Sequence, residues 1–487
     1  MNLKNKILSV LVALTCVTNI SADENTQKQA IKTNGQLVYG EKTVDVDSFV
    51  EMFSEGNLYG RLRNNNFYFI YKEEDGSHHT NWASAVGVSG VYNSARLSGF
   101  SFDVGVYGSI AEFSDDIPFI KAGKDTFSRF NYANDDSRYM AVIGQANLDY
   151  KLSKTDLRVG RQLVETFYTK SNDTKMIPNT FDGLVLTTQD IPHTTLKAAY
   201  LYKQKLRDHT SSHSVLMVGD SSSTSSLFPQ WSENDDAGML KGLTYSKLVE
   251  AGKPTDAPLI VLDVKNKSIK NLQADFSGYI VPELLSQVMG ELNYKMEFDG
   301  FSITPGVRYI QQFDNGAGAI AGASLNVLVL GSTAYKNPNS LEAKMIAARV
   351  VAKIDDYRIN LGYTNILDEA DLVTPWRGFP TAGYTRSMGM YNWKANTKSY
   401  RLELVKGANK TGVYKNAFIQ TSVLYIDGDS KKSPVAESMF YYFGIVKNLE
   451  AVPEFQYRVR LGYRDYIGDS SILSSYVDSR LEFNYLF

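Results

Sequence analysis

Apolar and polar residues alternate with a period of two along most of this chain, and this pattern restricts the fold more than any other feature. In the last segment Leu481, Phe483, Tyr485 and Phe487 share one face, while polar residues such as Glu482 occupy the other. Successive side chains of a β-strand point to opposite faces, so the pattern predicts half-buried strands. The same alternation recurs in segments at residues 100–107, 146–152, 195–203, 291–298, 301–309, 357–363 and 455–464.

A soluble β-sandwich also alternates, but two details favour strands that cross a membrane. The polar faces carry charges along their length, as Arg458, Arg460 and Arg464 show, and the apolar faces end in Tyr or Phe, which is typical of an interfacial aromatic girdle. An open sheet edge would leave backbone groups unpaired in hydrocarbon, so such a sheet must close. We therefore expect an all-β fold, a transmembrane antiparallel β-barrel.

The composition agrees with a barrel, although by itself it would also permit a soluble β-helix. The chain has 31 Tyr against 4 Trp, and its mean hydropathy of −0.25 is far below that of a helical membrane protein. A barrel has such a hydropathy because only alternate residues contact lipid. The net charge of −2 argues against nucleic-acid partners, which require a strongly basic face.

Residues 1–22 have the features of a secretory signal peptide. Lys4 and Lys6 precede an apolar run at residues 7–18, and residues 20–22 form a small-residue cleavage site. The apolar run is too short to span a membrane comfortably, which disfavours an uncleaved anchor. We expect export by the general secretory route, cleavage, and localisation in the outer membrane of a Gram-negative cell.

The mature chain divides into a short N-terminal segment and the barrel. Residues 23–57 are expected to form a periplasmic segment, in which a capping box that begins at Ser48 opens a short helix that Gly56 can end. Residues 58–487 are expected to form the barrel. Cleavage removes Cys16, the only cysteine, so the closed hydrogen-bonded barrel rather than disulfide bonds must supply the stability.

The connections between predicted strands are short at one end and long at the other, which is the asymmetry of outer-membrane barrels. The segment 317–334 is mostly apolar, and we interpret it as a loop folded into the barrel rather than a membrane helix. Tight periplasmic turns are expected at residues 154–155 and 297–300. Long extracellular loops are expected at residues 111–137, 207–270, 314–341 and 368–397.

The basic residues of the alternating segments show which face points into the barrel. A Lys or Arg on the lipid face at the bilayer midplane costs roughly 2–4 kcal/mol, so Arg458 and Arg460 are expected to face the lumen. Their charges would draw anions or carboxylates along the pore. The alternative is that most are solvated and paired with wall carboxylates such as Asp149, Glu297 and Glu403. The same alternation places inward Arg61, Arg63, Lys151, Arg158, Lys197, Lys203, Arg308, Arg349, Lys353, Arg358 and Arg401.

Several segments resemble the OprD-type family of outer-membrane porins. The most specific match is the stretch 154–160 followed by 171–183, while residues 62–69, 458–460 and 476–487 resemble the first strand and the closing hairpin. The resemblance implies a barrel of about 18 strands with a third loop that folds into the pore and narrows it. It also implies passive diffusion of small polar solutes, namely amino acids, peptides, carboxylates or ions. The lining that resembles the family's basic ladder consists of Arg61, Arg63, Arg158, Arg308, Arg358, Arg401, Arg458 and Arg460.

The resemblance also indicates where the pore narrows and how the barrel is assembled. The expected constriction consists of Ser171, Asp173, Lys175 and Asp182. Asp173 and Asp182 would face the basic lining and produce a transverse field that orients zwitterions. At the carboxyl terminus, Phe483, Tyr485 and Phe487 are expected to form the signal that the barrel-assembly machinery recognises.

An adhesin or structural barrel and, less favoured, a barrel hydrolase are the alternatives to a porin. A hydrolase would need an activated nucleophile beside a histidine, and none of the five His lies in a nucleophile motif. We therefore expect no catalytic residue, no cofactor and no metal. The expected partners are outer-membrane lipid and lipopolysaccharide, the assembly machinery and small polar solutes, with no nucleic acid, and the barrel is expected to be a monomer or a homotrimer.

Overall fold

The computed structural model describes residues 28–41, 43–72, 76–114, 126–216, 242–324, 334–407, 412–432, 437–467 and 475–487. In chain order its strands are β1 (Gln29–Ile31), β2 (Leu37–Tyr39), β3 (Asp45–Val46), β4 (Asn57–Lys72), β5 (His78–Asn93), β6 (Arg96–Leu97), β7 (Phe100–Ser114), β8 (Tyr139–Leu152), β9 (Thr155–Gln162), β10 (Thr180–Thr188), β11 (Thr194–Lys205), β12 (Leu259–Asn266), β13 (Leu272–Val281), β14 (Leu285–Tyr294), β15 (Met296–Phe298), β16 (Phe301–Asp314), β17 (Ala343–Ile354), β18 (Tyr357–Ile366), β19 (Thr397–Lys406), β20 (Phe418–Asp427), β21 (Glu437–Asn448), β22 (Phe455–Tyr466) and β23 (Tyr476–Leu486). The helices are α1 (Phe49–Ser54), α2 (Arg129–Asp135), α3 (Tyr245–Glu250) and α4 (Ala317–Ala321).

Eighteen long strands of the described residues, namely β4, β5, β7–β14 and β16–β23, close into one antiparallel barrel. The first and last of them pair directly, with Arg61 opposite Leu486 and Asn65 opposite Glu482. The backbone amide and carbonyl of Gly60 exchange hydrogen bonds with Phe487 at 2.6 and 3.0 Å. The predicted all-β transmembrane barrel of about 18 strands is confirmed.

The apolar and polar residues that alternate in the sequence lie on the outer and inner faces of the barrel respectively, as β22 shows. Leu461 and Tyr463 point outward and are 44% and 39% exposed, whereas Gln456, Arg458 and Arg460 point inward and are buried. The exposed outer surface is apolar and rich in aromatic side chains, as lipid requires. Among the described residues, no helix has both the length and the apolar character needed to cross a membrane.

We assign the end of the barrel that holds Asn57 and Phe487 to the periplasm, because most of the connections there are short turns. Two of these turns, at residues 153–154 and 355–356, contain two residues each. The connections at the opposite, extracellular end are numbered L1–L9 in chain order. Those discussed below are L3 (163–179), L4 (206–258), L6 (315–342) and L7 (367–396), of which residues 217–241 of L4 and 325–333 of L6 lie outside the described residues.

The sequence predicted a loop over the whole of residues 207–270. The C-terminal part of this segment contains the barrel strand β12, so the prediction was wrong there. In β12, Leu259 and Val261 are buried on the inner face, and Ile260 and Leu262 are exposed on the outer face. Apolar residues on both faces hide the period of two. The inner face of β12 is apolar because it contacts an apolar core rather than water.

This core lies inside the barrel on the side of β10–β18, where the extracellular loops fold inward. The rings of Tyr168 in L3, Tyr279 in β13 and Trp376 in L7 are buried and pack edge to face, with centroids 4.7 Å apart in each pair. Leu248 of L4 and Ala317 of L6 extend the same cluster. Residues 317–324 of the predicted folded-in segment therefore do lie inward.

The described residues of the N-terminal segment include helix α1, strand β3 and a small sheet. Ser48 caps α1, since its hydroxyl accepts a hydrogen bond from the amide of Glu51 at 3.2 Å. Strands β1 and β2 form a separate two-stranded sheet. This hairpin lies against lumen-facing residues of the barrel, although the sequence assigned residues 23–57 to the periplasm. The predicted signal peptide lies outside the described residues.

Candidate functional site

L3 crosses the lumen of the barrel and is held there by L7. The amide of Lys170 donates to the carbonyl of Trp376 at 3.0 Å, and the amide of Gly378 donates to the carbonyl of Tyr168 at 2.9 Å. The two loops therefore lie side by side with their backbones in contact. This pairing satisfies polar backbone groups that would otherwise be buried without partners.

Asp173 of L3 binds two arginines on the inner face of β4. Arg61 Nη1 lies 2.7 Å from Asp173 Oδ2, and Arg63 Nη1 lies 2.6 Å from Asp173 Oδ1. All three side chains are at most 7% exposed. Charge-assisted hydrogen bonds of this kind are the stronger ones in proteins, so they fix L3 to the wall. Asp173 thus touches the basic lining and does not face it across the pore.

Ser171 and Lys175, two other predicted constriction residues, also lie in L3 and are buried. The hydroxyl and amide of Ser171 both donate to Glu165 Oε1, at 2.5 and 2.8 Å, which closes the loop on itself. Lys175 Nζ lies 4.0 Å from the centroid of the Phe67 ring, within cation–π range. The carbonyl of Lys175 accepts a hydrogen bond from Asn65 at 2.6 Å. Three of the four predicted constriction residues therefore come together inside the barrel.

The fourth, Asp182, does not belong to the constriction, and this assignment was wrong. It lies in β10 on the same face as the exposed Leu184, and it pairs on this outer face with Arg161, whose Nε and Nη2 donate to it at 2.7 and 3.0 Å. The register shifts beside it because Tyr202 is an extra residue in β11. This bulge reverses the alternation of β11, so Lys203 lies opposite Asp182 and is exposed, where the sequence placed it inward.

The eight arginines of the expected lining all alternate onto the inner face, and most are paired with wall carboxylates. Arg458 and Arg460 both bind Glu482, and Arg401 binds Glu403. All five of these side chains are at most 9% exposed. The wall is therefore a network of guanidinium and carboxylate groups and not a file of isolated cations.

Two of the three predicted wall carboxylates take part in this network. Asp149 accepts a hydrogen bond from Arg158 at 2.5 Å, and Glu403 also lies 3.4 Å from Arg358. Glu297 does not take part, because it lies exposed at the periplasmic end in β15, beside a turn. Apolar and polar residues keep alternating through this segment, so the sequence pattern does not show where the barrel wall ends and the periplasmic turn begins.

Arg308 faces inward but supports L7 and does not line an open pore. Its Nη1 donates to the carbonyls of Pro380 and Ala382 at 2.7 and 2.9 Å, and its Nε donates to Glu291 at 2.7 Å. The guanidinium also stacks 4.5 Å from the centroid of the Tyr384 ring. A planar guanidinium with five donors suits such a buried support.

Arg480 and Arg386 also lie in the lumen, although neither was among the predicted lining residues. Arg480 of β23 forms an ion pair of 2.6 Å with Asp478, and the alternation of the last strand already placed it on the polar face. Arg386 lies in L7 over the ring of Phe379, at 4.3 Å from its centroid, and near Tyr391. Burial lowers the pKa of Arg386 to about 10, so it stays charged at neutral pH. No periodic pattern marks an arginine in an irregular loop.

Residues 54–246 match the model of a family described as outer membrane porin, OprD family. This stretch includes β4 with its two arginines and the whole of L3. The predicted resemblance to OprD-family outer-membrane porins is confirmed. Proteins of this family are β-barrels of the Gram-negative outer membrane, so the predicted localisation is confirmed. None of the curated proteins matches the chain.

Solved porin structures share the fold of this porin at low sequence identity. A BenF-like porin from Pseudomonas fluorescens Pf-5 superposes with a TM-score of 0.67 at 13% identity, covering 90% of this chain and 99% of that one. OpdK from Pseudomonas aeruginosa, solved with vanillate, gives 0.64 at 11% identity, with 88% and 98% covered. OccAB3 from Acinetobacter baumannii gives 0.64 at 14% identity, with 88% and 99% covered.

Several guanidinium donors of the porin lumen have no hydrogen-bond partner among the described residues. They include Nε and Nη2 of Arg63, Nε of Arg460, and Nε and Nη1 of Arg386. Buried donors are nearly always satisfied, so water or a solute must reach them. Carboxylates are the anions that match the planar guanidinium best, because they can accept two parallel hydrogen bonds.

Proposed function

We propose that this porin admits small carboxylate-bearing solutes by passive diffusion through a basic constriction between L3, L7 and the wall of β22, β23 and β4. One observation carries the proposal. On the inner faces of these three strands, two carboxylates, Asp478 and Glu482, accompany six arginines, namely Arg458, Arg460, Arg464, Arg480, Arg61 and Arg63. Asp173 of L3 adds a third carboxylate, so this wall keeps a positive charge.

A positive wall in a narrow, protein-lined pore raises the local concentration of anions. The carboxylates hold the arginines in fixed positions, and the donors without a protein partner remain for a solute. A solute must bind strongly enough to enter and weakly enough to leave, and a row of partly neutralised arginines meets both needs. The vanillate in OpdK is a property of that protein, and it agrees with a carboxylate as the solute class here.

We also infer that this porin has no catalytic activity. The described residues show no histidine beside an activated serine. His209 Nδ1 and His213 Nε2 face each other at 2.5 Å, and burial lowers the pKa of His209 to about 4, so it is uncharged at neutral pH. Purified protein should therefore conduct ions and hydrolyse no ester or peptide substrate.

Two further roles belong to this proposal. Phe483 and Tyr485 of β23 and the following Phe487 are proposed as the signal for the barrel-assembly machinery. The Tyr485 and Phe487 rings lie 6.3 Å apart at the periplasmic end. The lipid-facing surface is proposed to contact outer-membrane lipid and lipopolysaccharide. The monomeric or homotrimeric state stays a prediction.

Liposome swelling tests the solute class directly. Liposomes that contain the porin are placed in a carboxylate salt or in the uncharged amide of the same acid, with an ionophore that carries the counter-cation. We expect faster swelling with the carboxylate, because the two solutes match in size and differ only in the group that the arginines bind. Equal swelling rates, or a preference for the amide, would contradict the proposal.

A further inference from the structure

The N-terminal hairpin, defined as residues 28–41 with β1 and β2, is seated inside the periplasmic end of the pore. Gln29 is 2% exposed, and its Nε2 donates to the carbonyls of Gly60 and Phe487 at 2.5 and 2.9 Å. These hydrogen bonds attach the hairpin to the barrel where its first and last strands pair. Ion pairing of Lys28 with Glu41 at 3.7 Å joins its two ends.

Other contacts place the hairpin on the inner side of the wall. The lumen-facing Gln456 of β22 donates to the carbonyl of Ile31 at 3.2 Å. The Tyr39 ring lies 4.3 Å from the ring of Tyr59, which faces inward on β4. A side chain at Gly412, in the turn between β19 and β20, would begin 3.0 Å from the Cβ of Ala30. The hairpin thus contacts the turn between β19 and β20, the inner face of β22, and β4.

The tip of the hairpin reaches L3. Gly35 adopts a φ of +81°, and its amide donates to the carbonyl of Lys32 at 2.9 Å, which closes the turn. A Cβ on Gly35 would overlap the backbone carbonyl of Asp173. Because Asp173 is the residue that fixes L3 to the wall, the hairpin tip and the constriction are in direct contact.

We propose that the N-terminal hairpin is a resident plug that narrows the periplasmic half of the pore and, with L3, sets the size limit for solutes. The hairpin is a two-stranded sheet outside the barrel's hydrogen-bond ladder. Isolated two-stranded hairpins are at best marginally stable, so this one owes its position to the side-chain contacts described above. It can therefore be removed or displaced while the barrel stays closed. The inference rests on the porin function proposed above.

Deletion of residues 28–41 tests the plug in the full-length protein. We expect higher single-channel conductance in planar bilayers and a liposome-swelling limit shifted towards larger neutral sugars. Heat-modifiable migration in gels shows that the barrel has folded. Wild-type conductance and swelling limit in the folded deletion variant would overturn the proposal. Wild-type protein that does not conduct at all would instead overturn the porin function, so the two failures are distinguishable.

Gly35→Ala is the second variant, and Gly76→Ala is its matched control. Both glycines have a φ of +81°, but a Cβ at Gly76 would have no heavy atom of the described residues within 4 Å. The backbone strain is therefore the same, and only Gly35→Ala forces the hairpin away from Asp173. We expect increased conductance for Gly35→Ala and wild-type conductance for Gly76→Ala. Equal conductance of the two variants would count against the contact between the hairpin tip and L3.

Discussion

Replacing Asp173 with Asn is expected to release L3 from the barrel wall and to raise the single-channel conductance. Asn keeps the shape of the side chain but removes the charge, so the guanidinium groups of Arg61 and Arg63 lose their shared partner. Removing one partner of a buried ion pair costs about 3–5 kcal/mol. Each 1.4 kcal/mol is tenfold in an equilibrium constant, so the ratio of seated to released L3 should fall by about a hundredfold or more.

The control for this variant is Asp190→Asn, the same substitution in a periplasmic turn. Asp190 accepts hydrogen bonds from Thr155 and Ser153, which lower the pKa of its carboxyl, and neither of these partners belongs to L3. We expect wild-type conductance from Asp190→Asn in planar bilayers. If Asp173→Asn also conducts like the wild type, Asp173 does not hold the constriction in place.

Gly378→Ala is expected to separate L7 from L3 and to have the second-largest effect. The Gly378 amide donates to the carbonyl of Tyr168, and a Cβ on Gly378 would overlap the backbone of Phe167 and Tyr168. A backbone cannot move aside as a side-chain end can, so one loop must shift. Overpacking of this kind costs typically about 1–3 kcal/mol. Planar-bilayer recordings should show higher conductance and more frequent fluctuations between current levels.

Gly290→Ala is the matched control for steric overlap. Gly290 lies in β14 with an ordinary φ, and a Cβ there would have no heavy atom within 4 Å. The added methyl group is the same, so only the space around it differs. We expect Gly290→Ala to show the conductance and current fluctuations of the wild type in planar bilayers. Indistinguishable recordings from Gly378→Ala would show that L7 does not support L3.

The fold could be predicted from the sequence because a membrane barrel imposes one simple rule on most strands. Lipid lies on one side and polar groups on the other, so the period of two appears directly in segments such as residues 455–464. The rule fails where the inner face is covered by folded-in loops. This is why β12, with apolar residues on both faces, was hidden within the predicted loop at residues 207–270.

The site could be predicted only in part, for reasons that are local. Arg61 and Arg63 follow the alternation, and Asp173 follows from the resemblance of the third loop. The positions of Asp182 and Lys203 could not be predicted in this way. Both residues lie on the outer face beside a β-bulge, and no sequence pattern indicates the bulge. L7 and the N-terminal hairpin are positioned by contacts between residues far apart in the chain, and no local sequence pattern indicates that either meets L3.

The reversal potential in a KCl gradient tests most directly whether a basic wall selects the solutes. We predict an anion-selective wild-type pore and a shift towards cations in Arg458→Gln/Arg460→Gln, because Glu482 then keeps its charge without these two partners. Arg161→Gln is the matched control, since it removes an arginine from an ion pair on the outer face. It should keep the wild-type reversal potential. Equal reversal potentials in the wild type and the double variant would contradict the basic pore.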